Sequence, residues 1–231
     1  MSQTLLEALT LLAQLEHRVL AIVLLSLAVS STAVAIGTLI GLPLGALVAV
    51  GRWPGRNAAV VALNSMMGLP SVVVGVIVYL SLSRSGPLGP LGLLFTPTAM
   101  IIAQTLLTAP LIAALTRQIV EDAWRGYAVE LQSMRYTRMQ TVALLLYDCR
   151  FSLLVAVLAG LGRAMAEVGA VMIVGGNIEG YTRVMTTTIA LETSKGDLAL
   201  AIALGTVLIA VVLVLNAAAH LLNRWAMHRY G

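Results

Sequence analysis

The chain has 231 residues, of which 59% are hydrophobic and only 10% charged, with a formal net charge of +4 at pH 7. A water-soluble domain carries about 25% charged residues, so a soluble globule is excluded and lipid is the matching solvent. The positive charge is too small and too dispersed for a nucleic-acid surface, and the single cysteine, Cys149, excludes an intrachain disulfide.

Residues 1–17 read as an amphipathic helix. Leu5, Ala8, Leu9, Leu12 and Leu15 share one face, and the run is too short to cross a bilayer. The membrane domain, residues 18–224, then opens with a span over about 19–50. At ~1.5 Å per residue this exceeds a ~30 Å hydrocarbon core, so tilt or a break near Gly41-Leu42-Pro43 is expected. Gly37, Gly41 and Gly45 form a stripe that lets another helix approach closely. After the basic turn Arg52-Trp53-Pro54-Gly55-Arg56, a second span covers about 58–82, interrupted at Gly68-Leu69-Pro70. The turn-rich segment 83–90 leads to a third span, about 97–115.

Residues 117–150 are the longest polar stretch and contain no proline. They predict one or two short amphipathic helices. A fourth span over about 151–174, a polar connection from 175 to 197 and a fifth span over about 198–222 follow, with residues 225–231 as a tail. The predicted fold class is therefore an all-α integral membrane protein of about five transmembrane helices plus an N-terminal interfacial helix. If the 51–57 turn, the 117–150 segment and the chain end from Arg224 onward share one side, that side holds nine basic residues and the other four. The excess places that side in the cytoplasm, with the N-terminus outside.

No Gly-rich phosphate loop ending in Gly-Lys-Ser/Thr is present, so nucleotide chemistry must come from a partner. No nucleophile–base constellation or metal-like clustering is present either: an enzyme active site is not expected, and no cofactor or metal is expected in this chain. A membrane domain without a motor needs a rigid lever. Residues 127–139 are the candidate, with a simple solvated loop as the alternative reading. Arg163 and Glu167 are the charged residues well inside a span, at i and i+4. A lone charge in hydrocarbon costs ~2.5–3.5 kcal/mol, so both should face the bundle or a watery path, either as a buried ion pair or as a lining of that path. Pro70 frees a backbone carbonyl, and a kink there would place Met66, Met67 and Leu69 as an apolar constriction, or simply as core. Ser71, Gln104 and Thr105 are neutral polar groups whose default role is interhelical hydrogen bonding, with donation to a passing anion as the alternative. Gly169 permits close packing or exposes backbone N–H groups.

The layout resembles the binding-protein-dependent ABC importer permeases. That family carries a cytoplasmic loop beginning Glu-Ala-Ala, with Gly six residues after the Glu and Leu-Pro at its end. Glu130 matches the Glu; Leu131 and Gln132 stand at the Ala positions, Tyr136 at the Gly, and Asp148 and Cys149 at the Leu-Pro. Gly68-Leu69-Pro70-Ser71-Val72-Val73-Val74-Gly75, Ser83-Arg84-Ser85-Gly86-Pro87-Leu88-Gly89 and Gly162-Arg163-Ala164-Met165-Ala166-Glu167-Val168-Gly169-Ala170 are similar to the tungstate and molybdate branch. So are Val174-Gly175-Gly176-Asn177-Ile178 and Leu191-Glu192-Thr193-Ser194-Lys195-Gly196-Asp197. The resemblance implies the type I permease fold of ABC importers in the cell inner (plasma) membrane. It implies a pathway formed with a second copy of the chain, an extracytoplasmic oxyanion-binding protein, and two cytoplasmic ATPase subunits that bind ATP and Mg. Their docking segment would include Tyr127, Glu130, Met134, Arg135, Tyr136 and Arg138. Arg163, Glu167, Gly169, Gln104, Thr105, Ser71, Pro70, Leu69, Met67 and Met66 would line or gate the pathway. Tungstate is the expected cargo, with molybdate or sulfate as alternatives. An ion-coupled secondary transporter is the competing class; it needs membrane carboxylates, for which Glu167 is the candidate.

Overall fold

A computed structural model describes residues 17–230; the expected interfacial helix at the N-terminus lies outside the described residues. The described residues form α1 (His17–Val50), α2 (Arg56–Met67), α3 (Ser71–Leu82), a 3-10 turn (Gly89–Leu91), α4 (Pro97–Ser133), α5 (Arg138–Asp148), α6 (Arg150–Met165), α7 (Gly169–Gly175), α8 (Met185–Lys195) and α9 (Leu198–Tyr230). Three of them, α1, α4 and α9, are long and apolar enough to cross a membrane. The number is up to five if the broken pairs α2–α3 and α5–α6 each count as one span.

Several expected boundaries move. No break occurs at Pro43: α1 stays helical through it. The helix that holds the expected third span does not stop near 115 but continues to Ser133. The fourth is not continuous, because helix is lost between Met165 and Gly169. The expected lever at 127–139 is itself broken, with the short helix lying later, at Arg138–Asp148. The polar connection 175–197 contains α8, and the expected tail is the continuation of α9.

The described chain divides into two compact units, to which α1, α4, α6 and α9 each contribute a part. One unit comprises residues 17–33, 70–104 and 162–215. Its core holds Val29, Met100, Val171, Val174, Met185 and Leu204, all essentially buried. Here α3 and α7 touch backbone to backbone: a Cβ on Gly75 would lie 2.8 Å from the Ala170 Cα, and one on Gly169 2.8 Å from Val72 Cγ2. Small residues at these two positions are what allow that approach.

The other unit comprises residues 34–69, 105–161 and 216–230. The glycine stripe of α1 lies against α4 within it. A Cβ on Gly37 would stand 2.8 Å from Thr108 Oγ1, and one on Gly41 2.9 Å from the Ala109 carbonyl oxygen. One on Gly45 would run into the Ala113 carbonyl. Ala46, Ala49, Val50, Val120, Val142 and Leu145 close the core beneath. The chain leaves α1 through Gly55, whose φ of +96° suits a residue without a Cβ. Arg56 then reaches back, its Nε donating to the Val48 carbonyl at 2.9 Å and its Nη2 to Ala49 at 3.3 Å. These bonds satisfy carbonyls that the helix end leaves open.

Gly45→Val should destabilise the protein by about 1–3 kcal/mol, because the added side chain has no room against the Ala113 carbonyl. Gly126→Ala, in the same long helix α4 but with open space around the position, should instead stabilise by up to ~1 kcal/mol. Thermal unfolding of the purified protein in detergent checks both signs; equal melting temperatures for the two variants would refute the close α1–α4 contact.

Candidate translocation and coupling sites

In the first unit, polar groups gather around the helix break at residues 166–168. Ala-Glu-Val has no intrinsic reason to leave a helix, and the surroundings supply one. The Thr186 hydroxyl donates to the Glu167 carbonyl at 2.8 Å, and the Glu167 carboxylate accepts from the Ala170 N–H at 3.1 Å. The second carboxylate oxygen takes Arg163 Nη1 at 3.0 Å. The pair expected from i,i+4 spacing is therefore made, but Glu167 stands in the break that follows α6 rather than on its helical face. Glu167 is 4% exposed and Arg163 45%, so the acid is packed away and the base keeps one side open.

Gln104 belongs to the same cluster, its Nε2 donating to the Ala164 carbonyl at 3.1 Å. Ser71 stands beside Gly169, at 3.1 Å from where a Cβ there would be. Sequence reasoning missed Ser26 and Thr186. Ser26 Oγ donates to Ile22 O at 2.7 Å and accepts the Met185 N–H at 2.8 Å, which ties the start of α8 to α1. A serine inside an apolar run and the Thr186-Thr187-Thr188 run were the available signals. Ser26, Ser30, Gln104, Glu167 and Thr186 line a cavity of about 10 Å³, near the lower limit for a single water. It has no room for a tetrahedral oxyanion. Thr105 is also buried, whereas Met66, Met67, Leu69 and Pro70 are exposed on the chain's surface and so do not form core.

In the second unit, the polar segment is a helix end, a turn and a short helix. Arg135 takes φ +55° and the Tyr136 N–H bonds back to the Leu131 carbonyl at 3.1 Å, closing α4 with a left-handed residue in the place glycine usually fills. Thr137 then caps α5 reciprocally with Gln140: the Thr137 N–H donates to Gln140 Oε1 at 2.9 Å and the Gln140 N–H to Thr137 Oγ1 at 3.4 Å. α5 buries Thr141, Val142 and Leu145 and turns 76° into α6. Its outer face leaves Met139 and Tyr147 about two-thirds exposed, at 69% and 68%. Tyr127 and Glu130 sit on the end of α4, Met134, Arg135 and Tyr136 in the turn, and Arg138 at the start of α5; all six are exposed. The Gly position of the resembled motif falls in the turn, and its Pro position, Cys149, at the α5–α6 junction.

The two buried oxygens of Glu167 set the order of its variants. Arg163→Leu strands the carboxylate and should cost about 2 kcal/mol, less than a fully buried pair because the guanidinium is half exposed. Arg163→Leu with Glu167→Leu should recover part of that loss. Glu167→Gln, which keeps an acceptor for the Ala170 N–H, should be milder than Glu167→Ala. Thermal unfolding of the four variants reads the order, and a double variant worse than Arg163→Leu alone would remove the pairing.

No protein-family model matches the chain. It is 43% identical to the tungstate uptake system permease protein TupB of Peptoclostridium acidaminophilum, over 91% of this chain and 92% of that one. It is 41% identical to a probable anion ABC transporter permease protein of Haloferax volcanii, over 83% and 85% of the two chains. The TupB protein of Campylobacter jejuni is also 41% identical, over 70% and 68%. Two sulfate transport system permeases match at 24–26%. Identity at this level along nearly the whole of both sequences, on an all-helical chain with up to five candidate spans, places the protein in the family of anion ABC transporter permeases.

Proposed function

We propose that the chain is the membrane-spanning permease subunit of a tungstate importer driven by a separate ABC ATPase. The observation that carries this reading is the 43% identity to a tungstate uptake permease over nine-tenths of both sequences; the sulfate permeases are far more distant. Five crossings of the inner (plasma) membrane, in the type I permease fold, fit the three long helices and the two broken pairs. The nine-to-four asymmetry of basic residues favours the N-terminus outside and the C-terminus in the cytoplasm.

In this reading two copies enclose the pathway, and an extracytoplasmic binding protein delivers the dianion to them. Two ATPase subunits, which hold the ATP and Mg, dock on the cytoplasmic side. The docking element is α5 with the turn before it: a capped helix whose inner face is anchored by Val142 and Leu145 and whose outer face offers Met139 and Tyr147. A rigid helix joined at 76° to α6 transmits a push rather than absorbing it. Met66, Met67, Leu69 and Pro70 gate the pathway in the assembled dimer. Arg163, with its open side, provides the cationic contact for the anion while Glu167, Gly169, Ser71, Gln104 and Thr105 hold it in place.

Reconstitution with the ATPase and binding protein in proteoliposomes tests the cargo. ATP hydrolysis should rise with tungstate and far less with molybdate or sulfate; equal stimulation by sulfate would remove the tungstate assignment, and uptake driven by a proton gradient without ATP would remove the ABC reading. Met139→Glu with Tyr147→Ala should weaken co-purification of the ATPase at least tenfold, about 1.4 kcal/mol, while membrane insertion is unchanged. Glu130→Ala with Arg135→Glu should act in the same direction. Undiminished co-purification in both would exclude this docking face.

A further inference from the structure

A second feature of the unit built from residues 34–69, 105–161 and 216–230 is a cleft of about 590 Å³ at the end of α1, between the 51–55 turn, the first turn of α2 and residues 121–125 of α4. Its charged lining is Arg52, Arg56 and Arg125 against one carboxylate, Glu121. That carboxylate is already committed, to Arg117 at 2.6 Å and Arg56 at 3.2 Å. Arg125 reaches it only at 3.5 Å and Asp122 at 3.7 Å, and is 72% exposed. Arg52 is exposed and has no acidic partner among the described residues. The cleft therefore keeps an excess of positive charge, with three arginines in its lining against one carboxylate.

Two tryptophans, Trp53 and Trp124, line the same space. The Trp53 indole occupies the volume a Cβ on residue 51 would need, so Gly51 fixes where it lies. Guanidinium forks match the oxygens of a phosphate group. Indoles beside the end of a helix with mean hydropathy 2.5 mark the depth at which lipid headgroups sit. We propose that this cleft holds the phosphate of an anionic phospholipid headgroup, bound chiefly by Arg52 and Arg125 and shielded by the two indoles. The site is separate from the anion pathway and does not depend on which cargo the permease carries.

The permease–ATPase complex in nanodiscs of phosphatidylcholine with a minor share of phosphatidylglycerol tests this. After mild delipidation, native mass spectrometry counts the lipid retained. The wild type should retain phosphatidylglycerol in preference to phosphatidylcholine. Arg52→Gln should reduce that retention about fivefold, and Arg52→Gln with Arg125→Gln roughly 25-fold, from ~1 kcal/mol per basic residue at an anionic surface. Arg84→Gln, in the other unit, should change nothing. Full retention in the double variant overturns the proposal. Displacement of the lipid by inorganic phosphate would assign the cleft to a free oxyanion instead. Loss of the ATPase with lipid retention intact would assign it to the subunit interface. The single variant at an exposed position keeps the test valid if the double variant folds poorly.

Discussion

Whenever a helix breaks in an apolar chain, the backbone groups it frees must find partners inside the protein, because hydrocarbon offers none. That constraint organises this structure. At residues 166–168 the freed groups are taken by Thr186 and by the carboxylate of Glu167 itself. The exposed turn at 134–137, where water is available, is nonetheless closed by the left-handed Arg135 and by the Thr137–Gln140 reciprocal cap. At the end of α1 a guanidinium does the same task, with Arg56 bonded to two carbonyls. Polar residues in this sequence are few, and many of those in the described residues are spent on such junctions.

The consequence for function is a division of labour. Helix–helix contact is made by residues without side-chain bulk, Gly37, Gly41 and Gly45 on one helix and Gly75 and Gly169 at another contact. Charge is kept for a small number of places. Glu167 is held by a base and an amide; Glu121 is held by Arg117 and Arg56, with Arg125 outermost. A permease of weakly charged helices suits a system in which recognition of the anion is made before it reaches the membrane, and motion is supplied from outside the lipid.

Much of this was legible in the sequence. Apolar run length located the long helices, and Gly68-Leu69-Pro70 marked the break between α2 and α3. The glycine stripe was read as a packing face and is one. The i,i+4 spacing of Arg163 and Glu167 gave the ion pair but not its setting, because Ala166, Glu167 and Val168 carry no local signal to leave a helix; Thr186, far along the chain, bonds to the backbone there. The short helix expected at 127–139 instead begins at Arg138, for a related reason. Residues 127–139 contain no proline or glycine to punctuate them, and the Thr137–Gln140 pattern that marks the start of α5 sits in a run of mixed polar and apolar residues. α8 was missed because Thr186, Thr187 and Thr188 look like loop. Thr187 and Thr188 hydroxyls instead return to the Val184 carbonyl at 3.1 and 2.7 Å, which lets β-branched polar residues lie buried in a helix.

The arginines around Glu121 are not equivalent to the surrounding electrolyte. Arg117 is 12% exposed and Arg125 72%, and mobile ions screen charges across roughly 8 Å of physiological solution but penetrate a buried contact poorly. Rising ionic strength therefore loosens the outermost guanidinium first and leaves the innermost clasp closed. The link from the end of α1 to α4 runs through Arg56, which is 24% exposed and bonds both the α1 carbonyls and Glu121; it belongs to the part of the network that salt reaches least, while the outer edge at Arg125 stays responsive to the composition of the medium.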